Sequence, residues 1–456
     1  MSDRELVYLG AEELGRRFRA RELSPVEVTH AVLRRIERIG PAINAFVLVD
    51  AEAAIQSARA SEARFQRRAP LGPLDGVTVS LKDLLLTKGW PTRCGSKTID
   101  THASCLEDSP AAARLREGGA VLFGKTTTSE FGLKGMGDSP LTGITRNPWN
   151  LEHTPGGSSA GAVAAVAAGL GCLAVGTDGG GSIRVPAAYT GVVGLKPSYG
   201  RVPSHPASVI GAPPHVGPIA RSVRDAQLLL DTLSQADDRD PFRAPTADSA
   251  PPLLAVPLRS LKIGYLAGAH ELSVREIREA FDSILARVRA IGLDPVAVDL
   301  GLDGARAVLT TLFNARAAHT LLGLSTAARS QVDASIELSA REGEKLSALD
   351  YLAAEAERTA LALRVAHVFR SHDLLLTPTT AEPAPTVDAD FSPKRAPFTG
   401  IFSLTRQPAV SIPCGVTGAG LPVGLQIVGR HFEDALVLRL AEVLEAGAAF
   451  TAPPEP

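Results

Sequence analysis

The chain has 456 residues and a formal net charge of −2, and 45% of its residues are hydrophobic. This composition is ordinary for a globular protein, and the near-neutral charge provides no basic surface for nucleic acid or an anionic membrane. An aromatic content of 5% gives no sign of a platform for stacking bases.

Targeting and metal-binding signals are absent from the sequence. The N-terminus, MSDRELVYLG, has no basic stretch before an apolar core, so no signal peptide is predicted. The most apolar segment, 160–176, is short for a bilayer span and predicts a buried helix leading into a strand. The cysteines form no C-x-x-C pair and the histidines lack metal-ligand spacing. We therefore expect a cytoplasmic protein with no metal, no other cofactor and no membrane contact.

The first elements have clear boundary signals. In SPVEVTHAVLRRIERIG, Ser24 predicts the N-cap, Pro25 the first helical residue and Glu27 the partner in a capping box. Gly40 predicts the end of this helix. The run INAFVLVD then predicts a strand, and an Ala-rich, charged segment predicts a helix up to about Arg68.

From Gly72 to Ser198, glycine, serine, threonine and proline separate short apolar runs such as GVTVSL, AVLFGK and CLAVGT. Short strands that alternate with helices are typical of a mostly parallel α/β sheet. The segment 236–258 is rich in proline and aspartate, which predicts either a subdomain boundary or a long surface loop.

The rest of the chain continues the alternation. LKIGYLAG predicts a strand, and the helix after it has Ser273 and Glu276 as a capping box. A longer helical stretch is predicted over 344–370. HDLLLTPTT and PAVSIPCG resemble strands, GLPVGLQIVG suggests a hairpin arm that returns to the sheet, and the last helix is predicted over 433–445.

The stretch TDGGGSIRVP places three glycines, Gly179, Gly180 and Gly181, directly before Ser182. A nucleophilic serine needs an exposed position on a tight backbone, a proton acceptor and donors for an oxyanion. Glycines without Cβ atoms can turn their N–H groups toward one point and let a carbonyl approach closely. Ser182 is therefore a candidate nucleophile, provided that a base lies nearby.

Two further segments offer polar groups. In TPGGSSAG, Ser158 and Ser159 precede an apolar helix, which is typical of a helix N-cap; a phosphate cradle is disfavoured because no G-K-[ST] follows. In VSLKD, Lys82 ends an apolar run beside Asp83. Such a lysine is commonly a solvated edge residue, but if it were buried it could lose its proton and act as a general base.

The ordered set VSLKD, TPGGSSAG and GTDGGGSIRVPAA resembles the amidase signature family of serine hydrolases. GKTTTSEFG, TRNPWN, GVVGLKPSYGRV and LPVGLQIVGR also look like family segments, in family order. The resemblance is strongest over 72–221 and returns near 408–430. Several ordered motifs make it specific, unlike a single Gly-rich loop.

The resemblance implies a role for each matching residue. Ser182 matches the nucleophile, Ser158 the bridging serine that follows a cis peptide bond, and Lys82 the base. The backbone N–H groups that match the oxyanion hole are those of Gly179, Gly180, Gly181 and Ser182. The residues that match those holding the loop are Ser159, Asp178 and Arg184. Gly132 matches a position at the border of the substrate site.

Two positions depart from the family pattern. Position 179 is usually Thr or Ile in the family and is Gly here, which leaves more room beside the scissile bond. The Asn that often follows the Lys-Asp pair is also missing after Asp83. Neither change removes a reacting group.

The resemblance implies an α/β fold of the family type: a single large domain, 1–456, with a twisted mixed sheet covered by helices on both faces. Its expected parts are the signature core (72–221), the Pro/Asp-rich connection (236–258), a helical variable region (259–380) and a C-terminal return to the sheet (400–456).

The expected activity is hydrolysis of C–N bonds through an acyl-enzyme on Ser182. No charged cluster lies next to the motifs in sequence, which favours neutral, small or aromatic amides. The expected partners are a small-molecule amide or carbamate and no nucleic acid, with a homodimer as one assembly. The alternatives are a urethanase, aryl-acylamide or ester hydrolase of the family, the glutamine-hydrolysing subunit of a tRNA-dependent amidotransferase, and a catalytically silent binding protein.

Overall fold

The computed structural model describes residues 1–99, 103–206, 215–244, 257–390, 397–446 and 451–455. Within them the chain forms thirteen strands: β1 (Phe46–Val49), β2 (Thr78–Lys82), β3 (Val121–Thr126), β4 (Asp138–Ser139), β5 (Gly143–Ile144), β6 (Leu173–Asp178), β7 (Val193–Lys196), β8 (His215–Ala220), β9 (Ile263–Leu266), β10 (Val296–Val298), β11 (Leu374–Pro378), β12 (Ala409–Val416) and β13 (Pro422–Gly429).

Within the described residues, sixteen α-helices connect and cover these strands. They are α1 (Asp3–Val7), α2 (Ala11–Ala20), α3 (Pro25–Ile43), α4 (Ala51–Gln66), α5 (Pro110–Glu117), α6 (Ala160–Ala167), α7 (Arg184–Thr190), α8 (Val223–Leu233), α9 (Ala269–Leu272), α10 (Arg275–Ala290), α11 (Ala305–Thr320), α12 (Thr326–Arg329), α13 (Ala334–Glu344), α14 (Ala348–Val368), α15 (Thr399–Leu404) and α16 (Asp434–Glu445).

Eleven of the strands form one sheet in the order β1-β3-β2-β6-β8-β7-β12-β13-β11-β9-β10. Strand β2 runs parallel to both β3 and β6, and β9 runs parallel to β10 and β11. The other neighbouring pairs are antiparallel. The sheet is therefore mixed, as predicted, because hairpin returns separate its two parallel groups.

Helices flank this sheet. Helices α6 and α7 pack on each other and on the central strands, and α8 and α16 also pack together against the sheet. Helices α11, α13 and α14 form a further layer that reaches α15. This arrangement confirms the predicted single α/β domain. In the described part of the chain, no helix combines the length and apolar character that crossing a bilayer requires.

The first predicted helix forms with Ser24 as its N-cap, but two of its details are wrong. The Ser24 hydroxyl accepts a hydrogen bond from the N–H of Val26 and lies 2.5 Å from the carboxylate of Glu62. The predicted capping box with Glu27 does not form. The helix also continues past Gly40 to Ile43, and its C-cap is Asn44, which has a left-handed backbone conformation.

The second predicted capping box is also wrong. Helix α10 has Val274 as its N-cap and no side-chain cap, and the hydroxyl of Ser273 is buried without a hydrogen bond to a described residue. Glu276 instead accepts a hydrogen bond from the N–H of Gly418. Of the predicted connection 236–258, residues 245–256 lie outside the described ranges.

Candidate active site

Two neighbouring parallel strands end beside each other at one edge of the sheet. Lys82 is the last residue of β2 and Asp178 the last residue of β6. In open α/β sheets, sites form beyond the carboxyl ends of such strands. Ser158 lies just before α6, and Ser182 lies in the turn between β6 and α7. The fold thus brings Lys82 and Ser158 together although they are 76 positions apart in the sequence.

The side chain of Lys82 is fully buried. Its Nζ atom lies 2.7 Å from Ser158 Oγ and 2.9 Å from Ser159 Oγ. It also lies 2.9 Å from the hydroxyl and 3.4 Å from the carbonyl oxygen of Thr177. The hydroxyl of Ser159 donates to the same carbonyl, so Ser159 Oγ can only accept from Lys82. The structure therefore surrounds this amine with uncharged oxygen atoms.

The environment of Lys82 favours its neutral form. Burial holds the pKa of its amine well below the ordinary value of 10.5, since desolvation disfavours the ammonium ion. The charge of Asp178 opposes this shift, whereas the guanidinium of Arg316 adds to it. Asp83, the neighbour of Lys82 in the sequence, lies with its carboxylate 3.5 Å from Lys125 Nζ.

Ser158 follows a cis peptide bond after Gly157, as the resemblance implies. Ser158 and Ser182 line the same cavity, and the N–H of Ser159 donates to the carbonyl of Ser182 at 3.1 Å. The hydroxyls of Ser158 and Ser182, both within the described ranges, are not hydrogen-bonded to each other. Catalytic hydrogen bonds often tighten only when substrate binds.

The glycine loop presents three backbone N–H groups without a protein partner. Those of Gly179, Gly180 and Ser182 make no hydrogen bond with any described residue. The N–H of Gly181 differs, because it donates to Asp178 Oδ1 at 2.7 Å. Gly181 therefore does not present its N–H to the cavity, in contrast to the role that the resemblance implies for it.

Gly181 is needed for close packing. Its φ of +131° is unfavourable for other residues, and a Cβ there would lie 2.3 Å from Thr399 Oγ1. The hydroxyl of Thr399 is itself committed, because it donates to the carbonyl of Gly180 at 2.8 Å. A Cβ at Gly179 would meet nothing closer than 3.7 Å. The two glycines thus serve different purposes.

We expect Gly181→Ala to destabilise the protein by about 2 kcal/mol or more, through backbone strain and overpacking. Gly179→Ala is the matched control and should change the free energy of unfolding by less than about 1 kcal/mol. Urea unfolding of both variants measures the difference. Equal stability of the two variants would contradict this account of the loop.

Asp178 and Arg184 form a buried ion pair that supports the loop. Arg184 donates from Nε and Nη2 to the two carboxylate oxygens of Asp178, each at 2.9 Å. It also donates to Gln426 at 2.6 Å and to Ser403 at 2.8 Å. Burial would raise the pKa of Asp178, but the adjacent guanidinium holds that pKa below its ordinary range. The carboxylate therefore stays charged and keeps accepting the Gly181 N–H.

A buried histidine that no sequence motif indicates lies behind this pair. His215 Nδ1 lies 3.1 Å from the carbonyl oxygen of Asp178. Burial, reinforced by the charge of Lys196, holds the pKa of His215 well below 6.5. The neutral ring can donate one hydrogen bond to that carbonyl, which would link the start of β8 to the end of β6.

The cavity in front of Ser182 has two chemically different sides. Gly132 lines both of them, in keeping with the substrate border that the resemblance implies. The apolar side is formed mainly by side chains of the segment after Gly132 and of helices α7 and α11. These are Leu133, Met136, Val185, Tyr189, Leu309 and Phe313. The second side includes Arg316 and His205. Among the described residues, no group of three or more His, Cys, Asp and Glu side chains is arranged to hold a metal ion.

The family model described as Amidase matches residues 27–438. The chain belongs to this family. It is similar to the A subunit of the glutamyl-tRNA(Gln) amidotransferase of Geobacter metallireducens, with 35% identity in an alignment of 484 positions, gaps included, that covers 98% of each protein. This family member is thus a hydrolase that acts on C–N bonds, as predicted.

Solved structures agree with this assignment. A crystal structure of an amidase is 33% identical with a TM-score of 0.86, and covers 96% of this chain and 100% of its own. A bacterial aryl acylamidase of the amidase signature family is 28% identical with a TM-score of 0.88, and the match covers 97% of this chain and 96% of the other.

The predicted partners require a correction. The sequence predicts a small-molecule amide or carbamate substrate, no nucleic acid, and a homodimer as one assembly. Several curated relatives at 33–35% identity are instead named as one subunit of an amidotransferase, and that name includes a tRNA. The predicted set of partners, a small molecule without nucleic acid or other subunits, is wrong on this finding, because net charge describes the surface of a whole chain and not one interface on it.

Proposed function

We propose that this family member hydrolyses an amide through an acyl-enzyme on Ser182, with Ser158 as the bridge and Lys82 as the base. The environment of the Lys82 amine carries this proposal. A neutral amine has two N–H groups and one lone pair. Ser159 and Thr177 can take both N–H groups, so the lone pair is left for the proton of Ser158, 2.7 Å away.

The reaction then proceeds by relayed proton transfers. Ser182 Oγ attacks the carbonyl carbon while its proton passes to Ser158 and the proton of Ser158 passes to Lys82. The protonated Lys82 returns a proton along the same route to the leaving nitrogen, and the C–N bond breaks. Water deacylates Ser182 by the same relay. Two serines are required because one hydrogen bond spans only ~3 Å.

The oxyanion of the tetrahedral intermediate is assigned to three backbone donors. The N–H groups of Gly179, Gly180 and Ser182 have no described protein partner, so they can donate to a developing negative charge without first breaking a hydrogen bond. Such preorganised donors supply a large part of the rate enhancement in acyl transfer. Asp178, Arg184 and Ser159 act as positioning residues that hold the loop and the amine.

For the substrate, we propose the side-chain amide of glutamine, with the chain acting as the glutamine-hydrolysing subunit of a tRNA-dependent amidotransferase. The supporting observation is the similarity to the A subunit of glutamyl-tRNA(Gln) amidotransferase over nearly the full length of both proteins. In that role the protein works with partner subunits, and the ammonia released from glutamine is used on a tRNA-bound acyl group.

One observation favours a second candidate. The apolar side of the cavity carries Leu133, Met136, Val185 and Phe313, which suit a hydrocarbon or aromatic group better than the polar chain of glutamine. Hydrolysis of an amide with an apolar or aromatic substituent is therefore the alternative. The structural similarity to an aryl acylamidase supports it.

The two candidates are separated by measuring product release from L-glutamine and from acetanilide, each with the purified chain. The first candidate predicts ammonia release from glutamine, and association with the partner subunits during purification under native conditions. Aniline release from acetanilide, with no glutaminase activity in the presence of the partner subunits, would reject it in favour of the second. Failure to hydrolyse any amide, together with an unreactive Ser182, would reject the acyl-enzyme mechanism itself.

A further inference from the structure

An arginine from the variable helical region lies beside the nucleophile and has no partner among the described residues. Arg316, near the end of α11, lines the same side of the cavity as Ser182 and Ser158. Its guanidinium makes no hydrogen bond and no ion pair with any described residue, and burial lowers its pKa below the ordinary value. A partly desolvated cation without a counterion is costly, and buried charges are normally paired.

The glycine loop leaves room for this guanidinium. An ideal Cβ at Gly179 would lie 3.7 Å from Arg316 Nη1, which is an ordinary van der Waals distance. A β-branched residue such as Thr or Ile would extend further, into the space that the guanidinium occupies. The departure from the family pattern at position 179 therefore coincides with the position of the arginine.

The neighbouring charges do not neutralise Arg316. No carboxylate is among the described residues that line this side of the cavity. Asp178, a buried carboxylate of the site, is held in a bidentate pair by Arg184. The other basic group on this side, His205, lies 3.1 Å from Glu107. This side of the cavity is thus electropositive, in contrast to the neutral pocket expected from the sequence.

We propose that Arg316 binds a carboxylate of the substrate, so that the preferred substrates are amides that carry a carboxylate near the scissile C–N bond. The proposal rests on the proposed acyl-enzyme function and deepens it. The planar guanidinium presents paired N–H donors that match a carboxylate. In glutamine the bound group is the α-carboxylate. In an aryl or alkyl amide, Arg316 binds a carboxylate on one side of the scissile bond, and the apolar side of the cavity binds the aryl or alkyl group on the other side of that bond.

Binding can be measured without turnover in the Ser182→Ala background. Two ligand pairs differ only by a carboxylate replaced with a carboxamide: L-glutamine with its α-amide, and N-phenylsuccinamate with N-phenylsuccinamide. Calorimetric titration should show that the carboxylate of at least one pair binds about tenfold more tightly or better. Adding Arg316→Gln should abolish this preference, and Arg316→Lys should retain part of it.

Two matched variants strengthen the test. Arg306→Gln removes an exposed arginine from the same helix and should leave the preference unchanged. Gly179→Thr keeps the charge but fills the space beside Arg316 Nη1, so it should weaken carboxylate binding even if Arg316→Gln is too unstable to study. Equal affinity within both pairs, or a preference that survives Arg316→Gln, would overturn the proposal.

The binding test of Arg316 gives a result that does not depend on whether the proposed acyl-enzyme function is correct. Reaction of the unmodified protein with a fluorophosphonate reports on Ser182 alone, whereas the titrations report on Arg316 alone. A reactive Ser182 without carboxylate preference rejects only the role of Arg316. Carboxylate preference with an unreactive Ser182 rejects the acyl-enzyme function and leaves the anion site standing.

Discussion

Ser182→Ala should abolish turnover while the fold is retained. The hydroxyl of Ser182 is the only group proposed to bond covalently to the substrate, and it makes no hydrogen bond with a described residue that its loss would break. Loss of a catalytic serine in such a relay lowers kcat by at least about 10⁴-fold. The measurement is kcat on the best amide found, with the thermal unfolding midpoint as the check on folding.

Ser204→Ala is the control for this change. Ser204 lines the same cavity, but its hydroxyl makes no hydrogen bond with a described residue, and its backbone N–H donates to Asp240. This variant should keep nearly full activity and should react with a fluorophosphonate at Ser182, as shown by peptide mass analysis. Unchanged turnover in a folded Ser182→Ala protein would disprove the assigned nucleophile.

Lys82→Met should lower kcat/KM by about 10³-fold, the usual contribution of a general base. Methionine fills a similar volume in the buried site and has no basic nitrogen. In the wild-type protein, kcat/KM should rise with pH along a single ascending limb. As pH falls below the pKa of Lys82, each further unit removes about nine-tenths of the neutral amine that can accept a proton.

This limb should lie below pH 10.5, since burial lowers the pKa of Lys82 from that value. Arg316→Gln removes a positive charge that also lowers this pKa, so the limb should move to higher pH. In Lys82→Met the limb should disappear. An unchanged limb in Lys82→Met would show that another residue accepts the proton.

The catalytic groups could be predicted from sequence because each is part of a short motif. Local pattern alone favoured a solvated strand end for Lys82 and a helix N-cap for Ser158 and Ser159. The proposed catalytic roles came from the resemblance, since each residue lies in a short motif that matches the family. The helix boundaries were less predictable. Ser24 has a second partner in Glu62, and the sequence alone does not show that such a distant side chain competes with the local capping box.

Arg316 was missed for a different reason. Arginines on helices are normally solvated, and no motif in the sequence of α11 marks Arg316 as a site residue. Only the tertiary packing of α11 brings it to Gly179. The same holds for Thr399, which contacts the loop through Gly180. A glycine in place of a larger residue at position 179 was the one available signal, and it indicated space without showing what fills it.

The contacts of Arg184 have a consequence for how the protein is made on the ribosome. Ser403 and Gln426, which Arg184 binds, are both translated more than 200 residues after it. The strands β12 and β13, which join the two parts of the sheet, also emerge late. A nascent chain that already contains Lys82, Ser158, Ser182 and the Asp178–Arg184 pair therefore still lacks Ser403 and Gln426. The contacts that these two residues make with Arg184 can form only near the completion of synthesis.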